Sequence, residues 1–216
     1  MPSATLEEYL EAIYKLSEHG DVRPTQLADA LGVSGPTVTA TLRRLLGAGL
    51  IERPDGGVAL TAEGREQALS ILRRHRLSER FLADVLGLPW DVVHEEACRL
   101  EHALSPRVQR ALEEYMDNPE VCPHGYPIPR SDLSIAKLDG TPLSEHAASE
   151  QVEVLRVAED DEQLLTYLAS LGMFPGARVS IDEVSPFEGP FLVTVRGSTF
   201  ALGRDVAAKV IVKHVV

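Results

Sequence analysis

Cysteine is scarce in this chain: Cys98 and Cys122 are the only two in 216 residues. A chain of this length buries a core without covalent staples. Two thiols in such different sequence contexts predict free thiols or metal ligands in a reducing compartment, not a disulfide. Long apolar runs are missing, and the N-terminus has no basic-then-apolar leader, so the reading is a cytoplasmic protein with no membrane partner. Also missing are a Gly-rich phosphate loop, a nucleophile elbow and a His-Glu-x-x-His helix, so no enzyme is predicted. Positive charge is short as well. The net charge of −12 is a poor match to a protein that grips nucleic acid through bulk charge.

That deficit is uneven. Through residue 76, nine basic side chains nearly balance ten acidic ones. The acidity lies beyond that point, while Arg43, Arg44, Arg53 and the Arg73-Arg74-His75-Arg76 run are local basic points. Phosphate contact depends on local charge. Acidic ligands awaiting a cation would explain part of the remainder.

Periodicity divides the chain. Leu6, Leu10, Ile13 and Leu16 predict a helix over 5–18, closed by Gly20. A short helix over 24–31 follows, then the Gly32 turn. A third helix runs to Leu46, capped by Ser34 with Pro36 in its first turn. Residues 50–53 and 58–60 flank Asp55-Gly56-Gly57 and predict a hairpin. A long helix over 61–86, one from Pro89 to about Leu104, and one from Pro106 to Asp117 come next. Residues 119–149 are rich in Pro, Ser, Gly and Ala. Strands are then predicted at 151–157, 178–184, 190–195 and 206–212, with one helix at about 161–171, which suggests a small barrel. The fold class is mainly α with a small β part. The expected domains are 1–62 (winged helix-turn-helix), 63–130 (helical metal-binding and dimerisation domain), 131–149 (linker) and 150–216 (barrel).

Helix, helix, Gly turn, helix, hairpin is the order of a winged helix-turn-helix, whose second helix of the pair reads the major groove. Here that helix offers Ser34, Pro36, Thr37, Thr39 and Ala40, all small or hydroxylic. Hydroxyls can bond phosphates or base edges, and methyl groups can meet thymine. Arg43, Arg44 and Arg53 would neutralise phosphates.

The second informative stretch is His94-Glu95-Glu96-Ala97-Cys98-Arg99-Leu100-Glu101-His102. Helical spacing places His94, Cys98, Glu101 and His102 on one face. His75 and Glu79 form a further i, i+4 pair, Glu8 and Glu11 an i, i+3 pair, and Cys122-Pro123-His124 lies just beyond the helices. Thiolate, imidazole and carboxylate are the common transition-metal donors.

These motifs, together with Glu7-Glu8-Tyr9-Leu10-Glu11 and Ser34-Gly35-Pro36-Thr37, resemble the iron- and manganese-dependent repressors typified by the diphtheria toxin repressor and the manganese transport regulator. The likeness spans nearly the whole chain. It implies a homodimer bound to a palindromic double-stranded operator upstream of metal-uptake genes, and an SH3-like C-terminal domain. It implies one metal site of Glu8, Cys98, Glu101 and His102 that links the first helix to the dimerisation helices, joined by Glu11 and His75 if binuclear. For a second site it implies either His75, Glu79 and His94, or Glu79, Cys122 and His124 with an acid of the C-terminal domain, for which Asp160 is the first choice. Both sets are present. Glu8 stands where iron-type members carry a thioether, which favours Mn²⁺, while Cys98 stands where manganese-type members carry a carboxylate, which pulls back towards softer ions; Mn²⁺ is favoured, with Fe²⁺ the alternative. A metal-independent winged-helix regulator is the remaining reading.

Overall fold

The computed structural model describes residues 3–158 and 161–215. It separates into two compact units. One comprises residues 1–75 with 129–134, and the other 76–128 with 135–216.

The first unit holds α1 (Ala4–Ser17), α2 (Pro24–Ala30), α3 (Gly35–Gly47) and a short hairpin, β1 (Ile51–Glu52) with β2 (Ala59–Leu60). Leu10, Ile13, Leu27, Val38, Leu42 and Leu45 meet in its core. Their 3–4 spacing on each helix is what turns one face inward. Ser34 caps α3 by accepting from the Thr37 N–H, with Pro36 in the first turn. The wing closes through a bridge between Val22 and Val58. At Gly64 the Leu50 carbonyl would lie 1.8 Å from any added Cβ, so a side chain there would force the wing off α4 (Ala62–Asp84). Arg74 pairs with Glu7 at 3.1 Å, and the Arg65 guanidinium lies 5.1 Å from the Tyr14 ring centroid.

α4 runs through residue 75 into the second unit. There it is followed by α5 (Val93–Leu100) and α6 (Pro106–Tyr115). The expected helix from Pro89 to Leu104 is shorter at both ends. Residues 89–92 form a turn, because the Trp90 carbonyl, which would open the helical ladder, meets His124 Nε2 instead. Glu101–Ala103 tighten into a 3₁₀ turn. The single helical face running from His94 to His102 therefore ends at Leu100.

The C-terminal part is one antiparallel sheet in the order β3-β8-β4-β5-β6-β7. Its strands are β3 (Thr141–Pro142), β4 (Gln151–Val157), β5 (Arg178–Val184), β6 (Phe191–Val195), β7 (Ser198–Leu202) and β8 (Val210–His214). Val152 and Val154 point into the core, and a bulge before Arg156 shifts the phase so that Val157 does too. α7 (Glu162–Leu171) covers the core with Leu164, Leu165 and Leu168. Part of the Pro- and Ser-rich stretch belongs to this sheet: β3 pairs with β8, and Leu143 is fully buried. Residues 206–212 are not one strand. Gly203 opens a short helix, α8 (Arg204–Ala208), which the small, helix-favouring Ala207 and Ala208 continue. β7 was not predicted, because Gly197 and Gly203 break the apolar alternation around it.

Candidate metal centre and nucleic-acid face

Each region presents a different kind of surface. On α3 the buried face is Val38, Thr41, Leu42 and Leu45. Ser34, Pro36, Thr37, Thr39, Ala40, Arg43, Arg44 and, on the wing side, Arg53 are all exposed. No bulky apolar residue interrupts the N-terminal half of that face. Two of its hydroxyls are held locally: Ser34 Oγ lies 2.8 Å from Thr37 Oγ1, and Thr39 Oγ1 donates to the Gly35 carbonyl. Arg53 donates to the Gly56 carbonyl, which fixes the guanidinium beside the hairpin tip.

Among the metal donors of the first unit, the i, i+3 spacing on α1 splits at the burial boundary. Glu11 is 8 % exposed and forms a 3.0 Å ion pair with Lys15, while Glu8 is an exposed residue. His75 is fully buried, and one of its ring nitrogens lies within 4.8 Å of a Glu11 carboxylate oxygen.

The second unit contains the most enclosed group. Glu79 and His124 are 0 % exposed and Cys122 is 1 % exposed. One donor atom from each lies within 4.8 Å of the others. α4 supplies Glu79. The other two come from a tight turn in which the Cys122 N–H donates to the Tyr126 carbonyl and the Gly125 N–H to that of Cys122. Gly125 is required there twice over. Its φ is +90°, and an added Cβ would lie 1.9 Å from the Leu155 carbonyl of β4. The Val157 N–H donates to the His124 carbonyl, so the turn is fastened along that strand.

Glu79 Oε1 faces two imidazoles, His94 Nδ1 at 3.1 Å and His124 Nδ1 at 3.2 Å. His94 Nε2 points the other way, 3.9 Å from Cys98 Sγ. Cys98 is exposed on α5. Past the end of α5, Glu101 is buried and His102 Nε2 lies 3.4 Å from its Oε1. Asp160 falls outside the described residues.

A carboxylate removed from water is costly unless a cation or hydrogen bonds compensate it. His124 Nδ1 has no hydrogen-bond partner among the described residues. Sulfur, nitrogen and oxygen donors converging on one buried point suit a divalent transition ion. The residues present therefore fit a metal. The sequence motifs point to these donors but not to Trp90. Its carbonyl meets His124 Nε2 at 2.9 Å, and its indole N–H donates to the Pro123 carbonyl at 2.9 Å. Only the tryptophan's place beside Pro89, in a segment between two helices, hinted at a role.

One further surface stands out on the second unit. Phe81, Val85, Val108, Ala111, Leu112 and Tyr115 line an open apolar groove of about 440 Å³ with Arg107 at its edge, and Tyr115 is 72 % exposed.

Comparison with known proteins agrees along the whole chain. Residues 1–58 match the iron dependent repressor N-terminal DNA binding domain, 61–130 its metal binding and dimerisation domain, and 141–214 the FeoA domain. The iron-dependent repressor IdeR of Mycobacterium tuberculosis is 36 % identical over 98 % of this chain and 97 % of its own. The diphtheria toxin repressor of Corynebacterium diphtheriae is 38 % identical over 72 % of this chain and 73 % of its own. Among solved structures, a manganese-dependent transcriptional repressor in complex with manganese superposes with a TM-score of 0.91 at 34 % identity, covering 97 % of this chain and all of that one. ScaR with bound Cd²⁺ gives 0.84 at 30 % identity over 99 % of this chain and all of that one. With its DNA-binding, metal-binding and FeoA parts all matched in order, this chain belongs to the iron-dependent repressor family, which includes the diphtheria toxin repressor and IdeR.

Proposed function

We propose that this protein is a cytoplasmic, Mn²⁺-activated transcriptional repressor that binds a palindromic operator as a homodimer and controls metal-uptake genes. The observation that carries the metal half of this reading is the fully buried Glu79, flanked by two imidazole nitrogens and the Cys122 thiol. Glu79, Cys122 and His124 are proposed to hold one cation, with His94 beside them and Asp160 as the acid from the C-terminal domain. The other proposed ligands are Glu8, Glu11 and His75 from the first unit, and Cys98, Glu101 and His102 from the second. When bound, the ion supplies the positive charge that these acids lack. Cys122 must be a thiolate and the imidazoles neutral to ligate, so activation weakens in acid. The carboxylates favour Mn²⁺ over softer ions, and the similarity to solved manganese-dependent repressors supports that choice. Fe²⁺ is the second reading, because the curated relatives are named as iron-dependent.

For DNA, the exposed hydroxylic face of α3 is proposed to enter the major groove, with Arg43, Arg44 and Arg53 on phosphates. A second copy is proposed to cover the apolar groove of α4 and α6, since solvent-exposed Tyr115 and Val108 are poor surface residues in a monomer. No helix among the described residues is long and apolar enough to cross a membrane. The test is an operator-binding titration of chelated protein against Mn²⁺, Fe²⁺, Zn²⁺ and Co²⁺. Tight binding that appears only with added ion, strongest with Mn²⁺, is expected. Equal binding in chelator would favour a metal-independent regulator.

A further inference from the structure

Trp90 is the chain's one tryptophan. It sits in the turn between α4 and α5 and is fastened on three sides. Its indole N–H donates to the Pro123 carbonyl at 2.9 Å. Its own carbonyl lies 2.9 Å from His124 Nε2. Its ring stands 5.2 Å from the His124 imidazole and meets Phe174 edge-on at 5.0 Å. Phe174 belongs to the loop that follows α7, so the indole is held from the sheet side as well.

A carbonyl can only accept, so His124 Nε2 carries a proton, and an imidazole that ligates a cation is neutral and carries no other. Nδ1 is then left with its lone pair aimed at Glu79 Oε1, 3.2 Å away. The other tautomer would put an N–H on Nδ1 and donate it to Glu79. That arrangement would satisfy the carboxylate with a neutral hydrogen bond and fill the position a cation needs. The Trp90 carbonyl opposes it, because the switch would leave two acceptors facing each other at Nε2, whereas the same clash between Nδ1 and Glu79 is relieved by a cation held between them. The indole bond to Pro123 holds the residue next to His124 in place. Together these contacts keep two lone-pair donors pointed at one buried point.

We propose that Trp90 is the positioning residue of the buried centre, holding His124 in the tautomer and orientation whose Nδ1 accepts a divalent cation beside Glu79 and Cys122. This rests on the reading that these three residues bind such an ion. Outer groups that orient a ligating histidine are typically worth about 10- to 100-fold in metal affinity.

The experiment uses the full chain in a Cys98→Ser background, where Cys122 is the remaining thiol. A thiolate-to-Co²⁺ charge-transfer band then reports the buried centre alone. The band is expected in this parent and absent after Cys122→Ser. Trp90→Phe keeps an aromatic ring but removes the indole N–H. It is expected to raise the Co²⁺ concentration for half-saturation about tenfold. In the metal-free protein, histidine ¹⁵N shifts of His124 should move from the Nε2–H form to a mixture, a signature that packing alone would not change. Phe174→Leu removes only the ring clamp. About a threefold loss with an unchanged tautomer is expected for it. If Trp90→Phe binds Co²⁺ like the parent with the same tautomer, the proposal is overturned while the centre stands. If Phe174→Leu loses as much as Trp90→Phe, packing explains the effect and the positioning role is again overturned. A parent without a Cys122-dependent band would overturn the centre itself, and this proposal with it.

Discussion

The two units put their chemistry in opposite places. In the first, the residues proposed to meet DNA lie outside, on the face of α3 that its apolar spacing leaves over. In the second, Glu79, Cys122 and His124 lie inside, almost wholly out of reach of water, where polar atoms have no business without a partner. An exposed hydroxyl costs nothing to keep, so burial says nothing about Thr37. A buried carboxylate has to be compensated, so the burial of Glu79 beside two imidazoles and a thiol restricts what can stand there. The proposed roles imply that substitution on the outer face spares the fold and impairs DNA binding, and that an ion at the inner cluster adds stability.

That contrast can be broken in three places. Thr37→Glu puts a carboxylate on the exposed α3 face; operator affinity should fall at least about 100-fold by fluorescence anisotropy, with the melting temperature nearly unchanged. A large drop in melting temperature would mean the face is structural after all. Metal is expected to act on stability through the inner cluster. Saturation at about 100 times Kd should add about 2.7 kcal/mol to unfolding, and chelation should remove it. A calorimetric scan with and without chelator measures this. Arg43→Ala should weaken DNA binding by about tenfold across all sequences and reduce the salt slope by about one. A change confined to one base position would reassign Arg43 to base reading.

The smallest effects are expected in the C-terminal sheet and its helix. Asp161 caps α7 by accepting from the Leu164 N–H, and Asp161→Ala should cost about 1 kcal/mol in urea unfolding. Nearby in sequence, the His146 ring beside Glu150, 2.6 Å away, holds that carboxyl below its ordinary 4.5. A depressed carboxyl stabilises the fold above its unfolded value and loses that contribution as the pH falls through the folded value. The gain should therefore be complete at neutral pH and fade below about 4.5, and His146→Ala should flatten that limb of the stability curve.

Much of this was legible beforehand because the signals were local. Ser34-Gly35-Pro36 announces a helix start, and Asp55-Gly56-Gly57 a turn. The donor spacing of His94 and Cys98 survives on α5. What failed depended on contacts distant in sequence. Trp90 leaves the helical ladder for His124, 34 residues on, and no local pattern encodes that. Glu8 and Glu11 look equivalent at i, i+3, yet only Glu11 is buried, because three residues of helix turn through most of a circle and cross the edge of the core. Thr141–Pro142 read as linker because a two-residue strand shows no alternation until β8 is beside it.

The central claim, that the buried carboxylate centre makes DNA binding depend on a divalent cation, is tested most directly by measuring operator affinity of wild type and Glu79→Gln, each chelated and with Mn²⁺. Mn²⁺ is expected to tighten wild-type binding by about 100-fold and to leave Glu79→Gln close to its chelated level. A Glu79→Gln protein that responds to Mn²⁺ as the wild type does would contradict it.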